Sequence, residues 1–282
     1  MPRAARRGAG SARARRTAPA RASRTGTSQD LIAVDVGNSD TVLGWFHGET
    51  LRGFWRLTSA RASADEAWLA LDALMRAAHG PAAGGAGAVL CSVVPPLTLP
   101  WAAALERWCG RPPVEVNTAT ARSLPIRYHD ASAVGADRIA NAIAAREFYG
   151  TPAIVVDLGT ATTFDCISRE GAYLGGAISP GVATSAEELF RRAARLARVE
   201  LRTPTRALGR TTEESLRAGV LWGAAGSVDA LVRRLSAEMK GTPVVIATGG
   251  WAKVIAPECE TVQHVDEALT LKGMKRLWEE RS

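Results

Sequence analysis

Cysteine is scarce and scattered in this chain. Cys91, Cys109, Cys166 and Cys259 form no C-x-x-C pair and have no histidine at metal-ligand spacing. This excludes a disulfide framework, leaves a zinc site without support, and reads as buried or free thiols in a reducing compartment. Long apolar runs are missing too. The best candidate, Val89 to Leu105, is broken by Pro95, Pro96 and Pro100, short of the ~18–20 residues that a membrane span needs. There is no G-x-x-x-x-G-K-[ST] loop, and no G-x-G-x-x-G follows a predicted strand, so the two commonest nucleotide-phosphate loops are absent. Acid is absent from residues 1–28, which hold eight Arg. The formal charge of +7 therefore lies in that segment, and the other 254 residues, with 27 basic and 28 acidic side chains, are close to neutral. A nucleic-acid role for the body of the chain loses its main support.

What is present is an ordinary globular composition, 46% hydrophobic over 282 residues, enough for two compact domains or one large one. Residues 1–28 contain almost nothing that can be buried and are expected to be a disordered tail. Their Arg-rich, acid-poor make-up also resembles an organelle transit peptide, and a dispensable extension is the other reading.

The stretch Ala153 to Ile167 reads A-I-V-V-D-L-G-T-A-T-T-F-D-C-I. Four apolar residues predict a buried strand that runs into Asp157, Gly159 and the hydroxyls of Thr160, Thr162 and Thr163. The glycine suits a tight turn, and the hydroxyls and amides beyond it are donors for an anionic oxygen. A single D-x-G-T is equally a plain hairpin corner. A second copy stands at Leu31 to Trp45, L-I-A-V-D-V-G-N-S-D-T-V-L-G-W, in which Asp35 falls on Asp157, Gly37 on Gly159, Asn38 on Thr160 and Thr41 on Thr163. Two such turns 122 residues apart predict a duplicated unit, each half bringing one carboxylate to a shared cleft.

The remaining elements repeat the same order. Strands are expected at 31–34, 41–46 and 54–57, then a helix at 63–78 with Ser63 as N-cap and Glu66 completing a capping box. A strand at 88–94, a helix at 99–108, a short strand at 114–116 and an extended segment at 123–130 follow. Residues 134–148, V-G-A-D-R-I-A-N-A-I-A-A-R-E-F, read as a turn opening a helix with apolar Ile139, Ala142, Ile143 and Phe148. In the second half, strands are predicted at 153–157, 163–168 and 172–178. A helix at about 185–198, with Arg191, Arg192, Arg195 and Arg198 along a solvated face, comes next. A helix at 213–239, a strand at 244–247 ending in Thr248-Gly249-Gly250 and a last helix at 268–280 complete the chain. Strand–strand–strand–helix–strand–helix, twice, predicts an α/β protein of two duplicated ribonuclease H-like domains facing across a nucleotide cleft. The expected boundaries are 1–28 for the tail, 29–149 for the first domain and 150–282 for the second.

Gly135-Ala136-Asp137-Arg138 is the remaining chemical group. Asp137 at a helix start fits a general base for a hydroxyl, and Arg138 is a permanent cation for a carboxylate or phosphate. An acid that merely favours the helix dipole, beside a surface salt bridge, is the alternative.

Together these motifs resemble the type III pantothenate kinases, relatives of actin, sugar kinases and heat-shock ATPases. The resemblance rests on D-V-G-N-S at 35–39, S-V-V-P at 92–95, Tyr128, G-A-D-R-I-A-N at 135–141, D-L-G-T-A-T-T at 157–163, G-G-A-I-S-P-G at 175–181, T-E-E-S-L-R-A-G at 212–219 and T-G-G at 248–250. It implies ATP-dependent phosphorylation of pantothenate, the first step of coenzyme A synthesis, by a cytoplasmic homodimer that engages neither nucleic acid nor membrane. It also implies site residues. Asp137 corresponds to the proton acceptor. Asp35, Val36, Gly37, Asn38, Ser39, Asp40, Thr41 and Val42 correspond to the ATP-phosphate turn, with Asp35 near Mg²⁺ and Thr160 a second ATP contact. Asp157 corresponds to the ligand of a monovalent cation, K⁺ or NH₄⁺. Tyr128, Gly135, Ala136, Asp137, Arg138 and Thr212 correspond to pantothenate-contacting positions. Three departures stand out: Ser39 where Thr is usual, Ala133 where Glu is common, and Ala197 where Pro is usual. A kinase for another small hydroxylated substrate and a catalytically idle regulator are the alternatives.

Overall fold

The computed structural model describes residues 29–193 and 198–281; the predicted tail and the Arg195 portion of the predicted 185–198 helix lie outside the described residues. The first sheet contains β1 (Asp30–Val36), β2 (Asp40–His47), β3 (Thr50–Thr58), β4 (Ala86–Ser92) and β5 (Val114–Glu115), in the order β3-β2-β1-β4-β5. β1, β2 and β3 form an antiparallel meander, and β4 and β5 add in parallel. The second sheet contains β6 (Ala153–Leu158), β7 (Ala161–Ile167), β8 (Tyr173–Pro180), β9 (Val244–Thr248) and β10 (His264–Val265), in the order β10-β9-β6-β7-β8. Counted within its own half, each sheet reads third, second, first, fourth, fifth. The duplication expected from the two Asp-Gly turns is thus a duplication of whole sheets, each in ribonuclease H-like order.

The outer faces are covered locally. α1 (Ala64–Ala77) and α2 (Pro95–Cys109) bury Leu71, Met75, Trp101, Leu105 and Trp108 against Ile32, Val34 and Leu90. α1 opens on the predicted capping box: Ser63 Oγ accepts from the Glu66 amide, and the Ser63 amide donates to Glu66 Oε2 at 2.7 Å. α2 begins four residues before its predicted start, at Pro95. Pro95 and Pro96 occupy its first turn, where a missing N–H costs no helical bond. On the second sheet, α5 (Thr212–Glu238) lays Leu221, Val228 and Val232 over Ile154 and Val156. α4 (Val182–Arg192) starts three residues earlier than expected, and α6 (Ala252–Ile255) and β10 are elements that the sequence pattern did not show.

The inner layer is exchanged between the halves. α3 (Ala136–Phe148) and α7 (Leu269–Glu279) lie together in one apolar cluster with Leu31 and Val89 of the first sheet and Val155 and Ile246 of the second. α3, from the N-terminal half of the chain, packs on β6 and β7; α7, the last helix, packs on β1 and β4. Gly273 permits this close approach, since a Cβ there would lie 1.9 Å from the Ala140 carbonyl oxygen. Phe148, one of the apolar residues of this helix, is 42% exposed, with the Lys272 and Arg276 cations of α7 set over its ring. Among the described residues, no helix is long and apolar enough to cross a membrane.

Candidate active site

Both Asp-Gly turns are hairpin corners, joining β1 to β2 and β6 to β7. The plain reading of the motif and the chemical one are therefore satisfied by the same backbone. The Gly37 amide donates to the Asp40 carbonyl at 3.0 Å, and the Gly159 amide to the Ala161 carbonyl at 3.1 Å. Neither glycine has a positive φ. What position 37 lacks is room, because a Cβ would sit 3.0 Å from the Asp40 carbonyl oxygen. The glycine that does need a left-handed backbone is Gly249, at φ 90°, in the turn that follows β9. Its Thr248 is in register with Asp157.

The two corners meet. Ser39 Oγ and Thr160 Oγ1 are 2.7 Å apart, so a hydroxyl just beyond one Asp-Gly pair touches a hydroxyl just beyond the other, although the two are offset by one position in the overlay. Around that contact lies a cavity of about 520 Å³ bordered by Asp35, Gly37, Asn38, Ser39, Asp40 and Val42 from one corner, and Asp157 and Thr160 from the other. Asp137 in the first turn of α3 and Gly249-Gly250 close it. Two members of the predicted phosphate turn lie elsewhere: Val36 is in the core, and Thr41 is buried with its hydroxyl 2.8 Å from Ser59 Oγ.

Three carboxylates share this space, and their environment disfavours ionisation. Burial pushes Asp35 up to about 7, with Asp137 and Asp157 adding repulsion. Asp157 is raised to about 6 by burial and then by Asp137. Asp137 is also raised by burial, against the pull of the Arg138 amide, which donates to Asp137 Oδ1 at 2.8 Å. Asp157 is oriented through a buried polar chain: Asn141 Nδ2 donates to Asp157 Oδ2 at 3.1 Å, and Thr270 Oγ1 donates to Asn141 Oδ1 at 2.9 Å. Asn141 and Thr270 were not singled out from the sequence, where each sits in an otherwise apolar helix face.

Arg138 points away from the carboxylate cluster. Its Nε donates to Asp165 Oδ1 at 2.6 Å, with Asp165 fully buried, and the Tyr173 hydroxyl donates to the same oxygen at 3.0 Å. Tyr128 is 43% exposed, with its ring against Tyr173 at 6.3 Å between centroids. Gly135 and Ala136 start α3, and Thr212 is the first residue of α5, capped by Thr211. Tyr128, Gly135, Ala136, Arg138 and Thr212 do not border the cavity. The sequence reading also passed over Arg56, Glu187 and Glu267, which do.

Among the described residues, no three His, Cys, Asp or Glu side chains are grouped closely enough to hold a metal by themselves.

A family model described as type III pantothenate kinase matches residues 31–234. A type III pantothenate kinase from Moorella thermoacetica is 44% identical over 250 residues, covering 88% of this chain and 98% of its own length. Among solved structures, a protein described as a Baf family transcriptional activator from Campylobacter jejuni superposes with a TM-score of 0.57 at 20% identity, over 89% of this chain and 98% of its own. MreB 5 of Spiroplasma citri bound to AMPPNP gives 0.54 at 12% identity, over 91% and 98%. The two structural likenesses speak for the fold alone.

Proposed function

This chain belongs to the type III pantothenate kinase family, and on that premise we propose how its cleft moves a phosphoryl group from ATP to pantothenate. It is an ATP-dependent kinase whose product, 4'-phosphopantothenate, opens coenzyme A synthesis. The observation that carries the mechanism is the meeting of the two Asp-Gly corners, Ser39 Oγ to Thr160 Oγ1 at 2.7 Å, beside Asp137. Phosphoryl transfer asks a protein mainly for positioning and charge neutralisation, and two opposed hairpin corners supply the positioning.

In this reading the part of the 35–42 turn that borders the cavity, Gly37, Asn38, Ser39 and Asp40, holds the ATP phosphates with Thr160, while Val36 and Thr41 only support the turn from the core, and Gly249-Gly250 gives the nucleoside a flat backbone to lie on. The Asp137 carboxylate takes the proton of the pantothenate primary hydroxyl as that oxygen bonds to the γ-phosphorus and the bond to ADP breaks. A carboxylate raised by burial is a better base than a free one, and a placed base contributes ~10²–10⁴-fold. The divalent ion that accompanies ATP supplies positive charge to the phosphate oxygens; Asp35 is the residue we assign to it, through phosphates or water. Asp157, pointed by Asn141, is assigned to the monovalent cation, K⁺ or NH₄⁺.

Tyr128, Gly135, Ala136, Arg138 and Thr212 are assigned to pantothenate on the family resemblance. The Arg138 side chain is already engaged by Asp165, so it offers the substrate only the donors that Asp165 leaves. A cytoplasmic homodimer belongs to the same reading. It rests on the family resemblance. We take 29–149 and 150–282 as the two units, each lending the other one inner helix.

The test is ATP-dependent phosphorylation of pantothenate by the purified protein in K⁺ against Na⁺. Turnover that requires K⁺ supports both the reaction and the Asp157 assignment. Equal turnover in Na⁺ removes that ligand but keeps the kinase, and no turnover from folded protein in either salt overturns the reading.

A further inference from the structure

The charges bordering the cavity are lopsided. Six are carboxylates: Asp35, Asp40, Asp137, Asp157, Glu187 and Glu267. Among the described residues that border it, Arg56 is the one cation. A triphosphate entering this space meets strong repulsion, and the sequence has no phosphate-loop lysine to offset it.

Arg56 is placed to do so by the sheet itself. It is in register with Val42 on the neighbouring strand, and Val42 is in register with Asp35. Laterally paired residues share one face of a sheet, so Asp35, Val42 and Arg56 form a row across β1, β2 and β3 on the cleft side. The guanidinium is at present held by Asp40, a diagonal neighbour two residues along β2, through Nη1 at 2.9 Å. Both side chains are about one-third exposed, at 33% and 38%, and an ion pair that open contributes little, so exchanging Asp40 for another anion costs little. From the opposite half, Gly250 approaches so closely that a Cβ there would be 3.6 Å from Arg56 Nη1. The guanidinium therefore lies between the first Asp-Gly corner and the T-G-G turn, both of which border the cavity. Its field already reaches both buried acids, pulling Asp35 and Asp157 downward.

We propose that Arg56 is the cation that binds the phosphate chain of the nucleotide, exchanging Asp40 for phosphate oxygens when ATP enters. This rests on the reading of the cleft as an ATP site. A planar fork of donors matches phosphate oxygens in a way that a single ammonium does not.

The test compares wild type, Arg56→Gln and Arg56→Lys for binding of adenosine, ADP and ATP by calorimetry, with steady-state KM values for ATP and pantothenate. Arg56→Gln weakens ADP and ATP by about 10–100-fold, the range for a charge-assisted hydrogen bond, and leaves adenosine and the KM for pantothenate within about threefold. Arg56→Lys recovers part of the loss. Unchanged ATP binding in Arg56→Gln overturns the proposal. So does an equal loss for adenosine, ADP and ATP, which would mark a structural role. Wild-type protein that binds no adenine nucleotide overturns the kinase reading, and this proposal with it, whereas wild-type binding beside an unaffected variant removes only Arg56.

Discussion

Asp165→Ala should be among the most destabilising single changes in this chain. Asp165 is fully buried, and its partner Arg138 has a side-chain exposure of only 12%. Its Oδ1 accepts from Arg138 Nε at 2.6 Å and from the Tyr173 hydroxyl at 3.0 Å. Removing the carboxylate leaves a buried guanidinium and a buried phenol facing a void. Breaking one side of a buried pair costs about 3–5 kcal/mol, because the surviving charge has no water to return to. For a chain of this size each kcal/mol corresponds to roughly 2–4 °C in Tm, which gives a fall of about 6–20 °C.

The intact pair is not a large source of stability, however. Asp165 Oδ2 is buried and has no partner among the described residues, so the desolvation of this carboxylate is only partly offset. Asp165→Asn keeps an oxygen for Arg138 and Tyr173 and should therefore cost clearly less than Asp165→Ala. Both are read by calorimetric or urea unfolding at pH 7.5. An Asp165→Ala variant within about 1 kcal/mol of wild type would refute the reasoning, as would an Asn variant as damaged as the Ala one.

Three further outcomes follow from the carboxylates of the cleft. Asp137→Asn should lower kcat by about 10²–10⁴-fold with the ATP dissociation constant within about threefold; normal turnover removes the base. Because burial raises Asp35 to about 7 and Asp157 to about 6 from an ordinary 3.8, the folded protein holds more protons than the unfolded chain between about pH 4 and 7. Its ligand-free stability should then fall as pH rises through that window. Cation-loaded nucleotide favours the ionised acids, so its binding should release protons at pH 6 and almost none at pH 8. Calorimetry in two buffers of different ionisation enthalpy reads this directly, and proton uptake at pH 6 would contradict it.

Much of the site was legible because the two corners repeat. Asp35 and Asp157 each follow four buried residues and precede a glycine, and a pattern that occurs twice is hard to produce by packing alone. Asp137 was readable because it stands at a helix start beside a glycine. Arg56 was not, since alternation along β3 makes it one more half-exposed charge on a strand, and only the register across three strands brings it level with Asp35. Asp165 was hidden for a different reason: within T-T-F-D-C-I its neighbours are apolar or hydroxylated, and its partner is 27 residues away on another element. β10 is two residues long, too short for any periodicity to show.

The exchange of inner helices explains how Asp137 and Asp157 keep a common geometry although they come from different halves of the chain. Asp137 and Asn141 are one turn apart on α3 and so share a helix face, and Asn141 is hydrogen-bonded to Asp157. That bond is half-buried and is backed by the buried Thr270 from α7, while Gly273 brings the α7 backbone against α3 at Ala140. Covalently α3 precedes the second sheet; it packs on β6 and β7 of that sheet, on β4 of the first and on α7. Asp137 is thus tied to Asp157 through Asn141, while Asp35, Asp40 and Arg56 stand on the first sheet. The contact of Ser39 with Thr160 is where the corners carried by the two sheets meet directly.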